Sequence, residues 1–146
     1  MAQKRRIAAA VLGFGYLGCG LALVAQSGET YKARLTAVPA DARTRPELAG
    51  IGSASAVLAG SKLSITGSFE GLRSAATTAE LHSAIAAGVR GPAIHDLTVS
   101  KATSGSITGS IDLTPQQVES LHKGGLYIQI QSEKAPEGVI WGWLLR

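Results

Sequence analysis

The chain has 146 residues, of which 45% are apolar, 16% charged and 5% aromatic, enough for one globular domain and too apolar for a disordered one. Its formal charge is +4, and Lys4, Arg5 and Arg6 supply three of those charges; from Gly28 onward 11 Lys and Arg stand against 10 Asp and Glu. That near-balance lacks the clustered basic face of a nucleic-acid footprint, so no nucleic-acid partner is expected.

The chain opens with a basic stretch followed by residues 7–25, a run without a single charge, and then Gln26-Ser27-Gly28-Glu29. This pattern predicts an apolar N-terminal helix, with residues 1–27 acting as an export signal or a membrane anchor. Cleavage after Ala25-Gln26-Ser27 fits the small-x-small rule. Retention fits the length, with Lys4, Arg5 and Arg6 held on the cytoplasmic side. Lipidation of Cys19 is a third outcome, although Tyr16 stands where a lipobox has Leu. In each case the following domain, residues 28–146, is exported: periplasmic, or held at the outer leaflet of the cytoplasmic membrane. Gly13-Phe14-Gly15-Tyr16-Leu17-Gly18 spells G-x-G-x-x-G, but the strand-helix crossovers of a dinucleotide fold do not follow. Cys19 is the only cysteine, so the exported part has neither disulfide nor thiolate metal site.

From Tyr31 the apolar periodicity is two. Residues 31–37 read as a half-buried strand ended by Pro39, and residues 40–50 as a polar connection. Residues 53–58 and 63–69 form a hairpin around Ala59-Gly60-Ser61. Residues 77–83 read as strand or helix, because the text from 75 to 87 is rich in Ala. Residues 88–92 are a loop, and 93–100 and 106–113 are strands. Thr114-Pro115-Gln116-Gln117 is a helix start and Gly124 a stop, giving one short helix over 115–123. Strands 126–132 and 139–145 flank a turn at Pro136-Glu137-Gly138. The segment Ser64-Ile65-Thr66-Gly67-Ser68 recurs as Ser106-Ile107-Thr108-Gly109-Ser110, as two equivalent strands in two sheets would. Seven or eight short strands and one helix predict an all-β antiparallel sandwich or barrel.

The landmarks that go furthest are Gly124-Gly125-Leu126-Tyr127-Ile128-Gln129-Ile130-Gln131-Ser132, then Gly138-Val139-Ile140-Trp141-Gly142-Trp143-Leu144, with Ala79-Glu80-Leu81-His82 and Gly91-Pro92-Ala93-Ile94 before them. In order and spacing they resemble the CHRD family, the repeat first described in chordin, over roughly residues 31–145. The resemblance implies a Greek-key β-sandwich of the superoxide dismutase or immunoglobulin type and no defined reaction. Three histidines of the family fall on Glu80, His82 and Gln131, so one imidazole remains of what a metal set would need. A metal-binding or dismutase-like protein with a degenerate histidine site is therefore the alternative reading. His95 and His122 complete the histidines, without paired spacing.

No serine sits in a nucleophile elbow, and His95 and Asp96 are strand neighbours pointing to opposite sides. No catalysis, cofactor or resident metal is expected. In the last hairpin Ile128, Ile130, Ile140 and Leu144 share the core face. Tyr127, Gln129, Gln131, Val139, Trp141 and Trp143 take the other, where the family carries Glu, Arg and Gln at 139, 141 and 143. An apolar aromatic patch on a face that should be wet marks an interface, unless the helix over 115–123 or the connection 40–50 covers it internally. Tyr127, Val139, Trp141 and Trp143 are accordingly the candidate partner-binding residues of an accessory subunit, docked to a protein or to a second copy. Residues 7–25 supply a membrane contact if uncleaved.

Overall fold

The structure, a computed structural model, describes residues 28–146; the signal or anchor, Cys19 and the Gly13–Gly18 motif lie outside the described residues. Among the described residues no helix is long and apolar enough to cross a membrane. Eight strands are present: β1 Glu29–Ala37, β2 Ile51–Ala59, β3 Lys62–Glu70, β4 Ala76–Ser83, β5 Ala93–Val99, β6 Gly105–Asp112, β7 Leu126–Ser132 and β8 Ala135–Trp143. A single turn of 3-10 helix, Arg45–Glu47, follows β1, and α1 spans Pro115–His122 between β6 and β7. Neighbouring strands pair antiparallel in the ring order β1-β2-β3-β6-β5-β4-β7-β8. The β3–β4 and β6–β7 connections each skip two strands, which is Greek-key wiring.

The ring is closed, and this corrects the expected sandwich. A sandwich leaves edges unpaired; here β1 pairs with β2 along most of its length and turns its last residues to β8, with Thr36 opposite Trp141 and Ala37 opposite Ile140. Lys32 and Leu145 add a bridge at the other end of the seam, exchanging N–H···O bonds of 2.7 and 2.9 Å. Gly142 permits that closure, because a Cβ there would run into the Arg34 carbonyl. Closure removes the exposed edges that invite strand addition.

Strand alternation fills the interior. Tyr31, Leu35, Leu63, Ile65, Leu81, Ile107, Ile128, Ile130 and Ile140 are among the side chains buried there. The Ala-rich text before Ser83 resolves as strand β4, since Ala79 and Leu81 point inward between β5 and β7. The repeated pentapeptides are not equivalent strands of two sheets; they are hydrogen-bonded neighbours, Thr66 opposite Thr108 at the centre. This register sets Ile65 against Gly109 and Ile107 against Gly67, so each bulky inward residue meets the other copy's glycine.

Helix α1 begins on a capping box, in which Thr114 Oγ1 accepts from Gln117 N at 3.2 Å and Gln117 Oε1 accepts from Thr114 N at 2.9 Å. It ends at Gly124, whose φ of +75° suits a glycine. Leu121 and Val118 seat the helix on the core. The last hairpin also differs from expectation. Its turn is Glu133-Lys134, while Pro136, Glu137 and Gly138 belong to β8 in an irregular stretch, where the β7–β8 register shifts between Ile130 and Ser132.

Candidate functional site

Across the outer face of the wall formed by β4, β7, β8 and β1, the register lays side chains out as a grid. Glu80, Gln129, Trp141 and Thr36 lie in one row, and His82, Tyr127 and Trp143 in the next. Outward-facing residues of a barrel normally meet water, yet every residue of β7 is buried. Two loops provide the cover. The β1–β2 connection brings Val38 and Leu48 over the rings, where they form a second small cluster with Tyr127, Trp141, Ala84 and the flank of Trp143. That connection is held by Asp41, whose Oδ1 accepts from the backbone N–H of Arg43 and Thr44 at 2.8 and 2.9 Å. These donors lower the Asp41 pKa.

The β4–β5 loop supplies the rest. Tyr127 Oη both accepts from the Gly91 N–H at 3.0 Å and donates to the Gly91 carbonyl at 3.1 Å. His82 Nδ1 donates to the same carbonyl at 2.9 Å, and its ring stacks on Tyr127 with centroids 4.8 Å apart. Gly91 has to be a glycine here, because a Cβ would collide with the Ser83 carbonyl. The Arg90 guanidinium lies 5.1 Å over the Trp141 ring. Tyr127, Trp141 and Trp143 make tilted and edge contacts at 4.6 to 5.7 Å.

Beside the rings is a polar chain. Thr78 Oγ1 donates to Gln131 Oε1 at 2.8 Å, Gln131 Nε2 donates to Glu80 Oε2 at 2.7 Å, and His82 Nε2 lies 3.2 Å from that same oxygen. Glu80, His82 and Gln131, the positions where the resemblance implies three histidines, therefore do converge. What converges is one imidazole, one carboxylate and one amide, already engaged with one another. Among the described residues no three His, Cys, Asp or Glu side chains gather as a metal set. His95 and His122 lie apart from this cluster: His95 Nδ1 is 3.1 Å from the Asp96 backbone carbonyl oxygen, and His122 Nε2 is 2.9 Å from Glu29 Oε2.

The candidate partner-binding residues are thus mostly covered. Tyr127 is 1% exposed and Trp141 9%, packed under the loops. Val139 is fully buried and belongs to the interior cluster, not to the aromatic face, because the irregular start of β8 interrupts strand alternation. Only Trp143 is half-exposed. It opens, with the edge of Trp141, on a groove of about 890 Å³ whose other side is Lys32, Arg34, Thr36, Ser53 and Ser55 and whose rim includes Ala87. No carboxylate lines it. Lys32 and Arg34 read in the sequence only as the outward positions of the first strand, because their place beside Trp143 depends on β1 lying next to β8, and nothing local announces a pairing between the first and last strands.

The model of the CHRD domain matches residues 31–144, which spans β1 to the last residues after β8. The chain belongs to the CHRD domain family. No curated protein and no solved structure was found to match it. Family membership accounts for the β-fold and leaves the activity open, so the role of this CHRD domain has to be argued from its surface.

Proposed function

We propose that the chain is an exported, non-catalytic CHRD domain, held at the outer leaflet by residues 7–25, that works as the accessory subunit of a membrane-associated assembly. The rings of Tyr127 and Trp141 serve as a braced support, and the binding surface is the groove that Trp143 opens on. One observation carries this reading: Arg34 faces that groove with no carboxylate within ion-pair distance among the described residues. A free guanidinium, three hydroxyls and an indole edge suit an acidic, partly apolar segment of a protein partner. Arg34 and Ser53 are both exposed, so altering them leaves the packing intact.

The test is purification of the full chain from its membranes in mild detergent, followed by native mass measurement. A partner held at fixed stoichiometry, lost in Arg34→Glu and in Ser53→Asp while the melting curve is unchanged, supports the reading. A chain that runs as a bare monomer in all three forms overturns it. The metal-binding alternative draws on the convergence of Glu80, His82 and Gln131. It requires stoichiometric zinc or copper in the purified protein, abolished by His82→Ala.

A further inference from the structure

The end of the barrel at which Gly28 enters carries most of the exposed apolar side chains. The strand registers define that end. Glu29 pairs with Leu58, Lys32 bridges Leu145, Ser83 pairs with Leu126, and Ala84 N donates to the Gly125 carbonyl. The starts of β1 and β7, the chain after β8, the β2–β3 hairpin and the β4–β5 loop therefore sit together. Five large apolar side chains are exposed among the described residues, and four of them are here: Val57, Ile85, Val89 and Leu145. The fifth, Ile51, pairs with Glu70 at the opposite end. Ile85 is 92% exposed, in a loop reading Ala84-Ile85-Ala86-Ala87-Gly88-Val89-Arg90. A protein does not gain stability by holding an isoleucine in water at a loop tip.

Charge at this end is lopsided. Its acids are Glu29, Asp112 and Glu119. Glu29 is tied to Arg146 at 2.6 Å and to His122 at 2.9 Å, and Glu119 to Lys123 at 2.7 Å. Lys32 and Lys62 have no carboxylate within 4.0 Å among the described residues, and Asp112, the cross-strand neighbour of Lys62, is the one acid left over; the Arg90 guanidinium is engaged over the Trp141 ring. Isolated apolar side chains set among free cations match the boundary between anionic headgroups and acyl chains better than they match a protein surface, which would demand one contiguous apolar patch.

The chain length adds a constraint. The uncharged run ends at Ala25 and β1 begins at Glu29. Four residues of extended chain reach about 14 Å at most. With residues 7–25 in a bilayer, the Gly28 end of the barrel has no room to turn away from it.

We propose that this end of the barrel is a lipid-docking face: the β4–β5 loop dips Ile85 and Val89 into the headgroup boundary of an anionic bilayer, while Val57 and Leu145 rest on it and Lys32 and Lys62 meet lipid phosphates. The proposal rests on the reading that residues 7–25 hold the chain in the membrane, and it adds the orientation and the lipid chemistry.

The experiment uses the full chain with Cys19→Ser, carrying a single new cysteine labelled with an environment-sensitive dye, either at Ile85→Cys or at Ser104→Cys beyond the opposite end. Each is reconstituted into protein-free vesicles of phosphatidylcholine with and without phosphatidylglycerol. The dye at 85 is expected to shift to the blue and lose most of its quenching by aqueous iodide when phosphatidylglycerol is present, while the dye at 104 stays fully quenched. Equal quenching at 85 and 104 in chain that floats with the vesicles overturns the lipid-docking face and leaves the membrane anchor standing. Shielding at 85 that ignores phosphatidylglycerol overturns the role of the cations. Chain that does not float overturns the anchor and the docking face together.

Discussion

Strand β3 meets water along one side of the barrel wall, and strand β7 meets it along neither. Both send Ile side chains inward, Ile65 from one and Ile128 and Ile130 from the other. Their outward residues differ. Ser64, Thr66 and Ser68 on β3 are exposed, whereas Tyr127, Gln129 and Gln131 on β7 lie beneath the β1–β2 connection, the β4–β5 loop and the start of β8. A polar group under cover has to be partnered, and an aromatic one has to be packed. Hence the β7 side carries the Thr78–Gln131–Glu80–His82 chain and the ring cluster, while the β3 side carries short hydroxyls that water serves equally well. The difference places the covered polar chain and the packed rings on the β4–β7–β8 wall.

The largest effect that sharpens this contrast is expected from Trp141→Arg combined with Trp143→Gln, which restores residues of the family pattern on the covered wall. Removing a packed tryptophan costs ~3–5 kcal/mol, and the introduced guanidinium would have to be buried under the covering loops and beside the Arg90 guanidinium. Because Trp141 is packed by Val38, Leu48 and the Arg90 guanidinium, the double variant is expected to lose much of the domain's stability. Chemical denaturation measures it. An unchanged midpoint shows that the wall tolerates water after all and returns Trp141 to the surface.

How much of this was legible in the sequence follows the same contrast. Strands β1, β2, β3 and β6 alternate between apolar and polar residues, and for them a period of two gave both the strand and the face. In β7 the period was equally clear, and Tyr127, Gln129 and Gln131 do point outward. Their burial was legible only as the alternative in which the 40–50 connection or the helix covers them, since the covering residues Val38, Leu48, Arg90 and Gly91 come from loops that carry no period. Val139 was misplaced because alternation fails across the irregular β8 start, where Pro136 and Gly138 read as a turn. Closure into a barrel stood only beside the sandwich as an option for a related reason: the β1–β8 seam joins the two ends of the domain and depends on a missing Cβ at Gly142. The convergence of Glu80, His82 and Gln131 was foreshadowed by the family landmarks, though the hydrogen bonds that occupy them were not.

Between the wet wall and the covered one lies the seam where β1 begins, and there pH distinguishes pairing from packing. The Glu29 carboxyl accepts from Tyr31 Oη at 2.6 Å and is paired with Arg146 and His122. These partners, the Tyr31 hydroxyl first, pull its pKa from the ordinary 4.5 to about 2. The native state thus favours the carboxylate more than the unfolded chain does, and protonation must undo the contacts. Glu29 accordingly contributes stability that is complete above about pH 4.5 and fades as pH falls toward about 2. Thermal melts of wild type and Glu29→Gln are expected to differ near neutral pH and to converge across that window. A gap that persists at the acid end assigns the effect to packing of the side chain rather than to its charge.

The smallest expected effect is the most direct test of the contrast, because it concerns the sequence feature that looks most like a motif. The repeated Ser-Ile-Thr-Gly-Ser places Thr66 opposite Thr108 at the middle of the β3–β6 ladder. A repeat this regular invites a functional reading of its threonines, yet both point outward and both are exposed. The parts of the repeat that packing constrains face inward: Ile65 and Ile107 are buried, and the glycines opposite them leave room, a Cβ on Gly67 coming within 2.6 Å of the Ser53 carbonyl. A cross-strand threonine pair is worth roughly 0.2–1 kcal/mol over alanine. Thr66→Ala with Thr108→Ala is therefore expected to lower stability by less than about 1 kcal/mol, a fraction of the cost at Trp141. It is also expected to leave the membrane-extracted assembly intact. Loss of the assembly at unchanged stability transfers the binding surface from the Trp143 groove to the hydroxyl-lined wall.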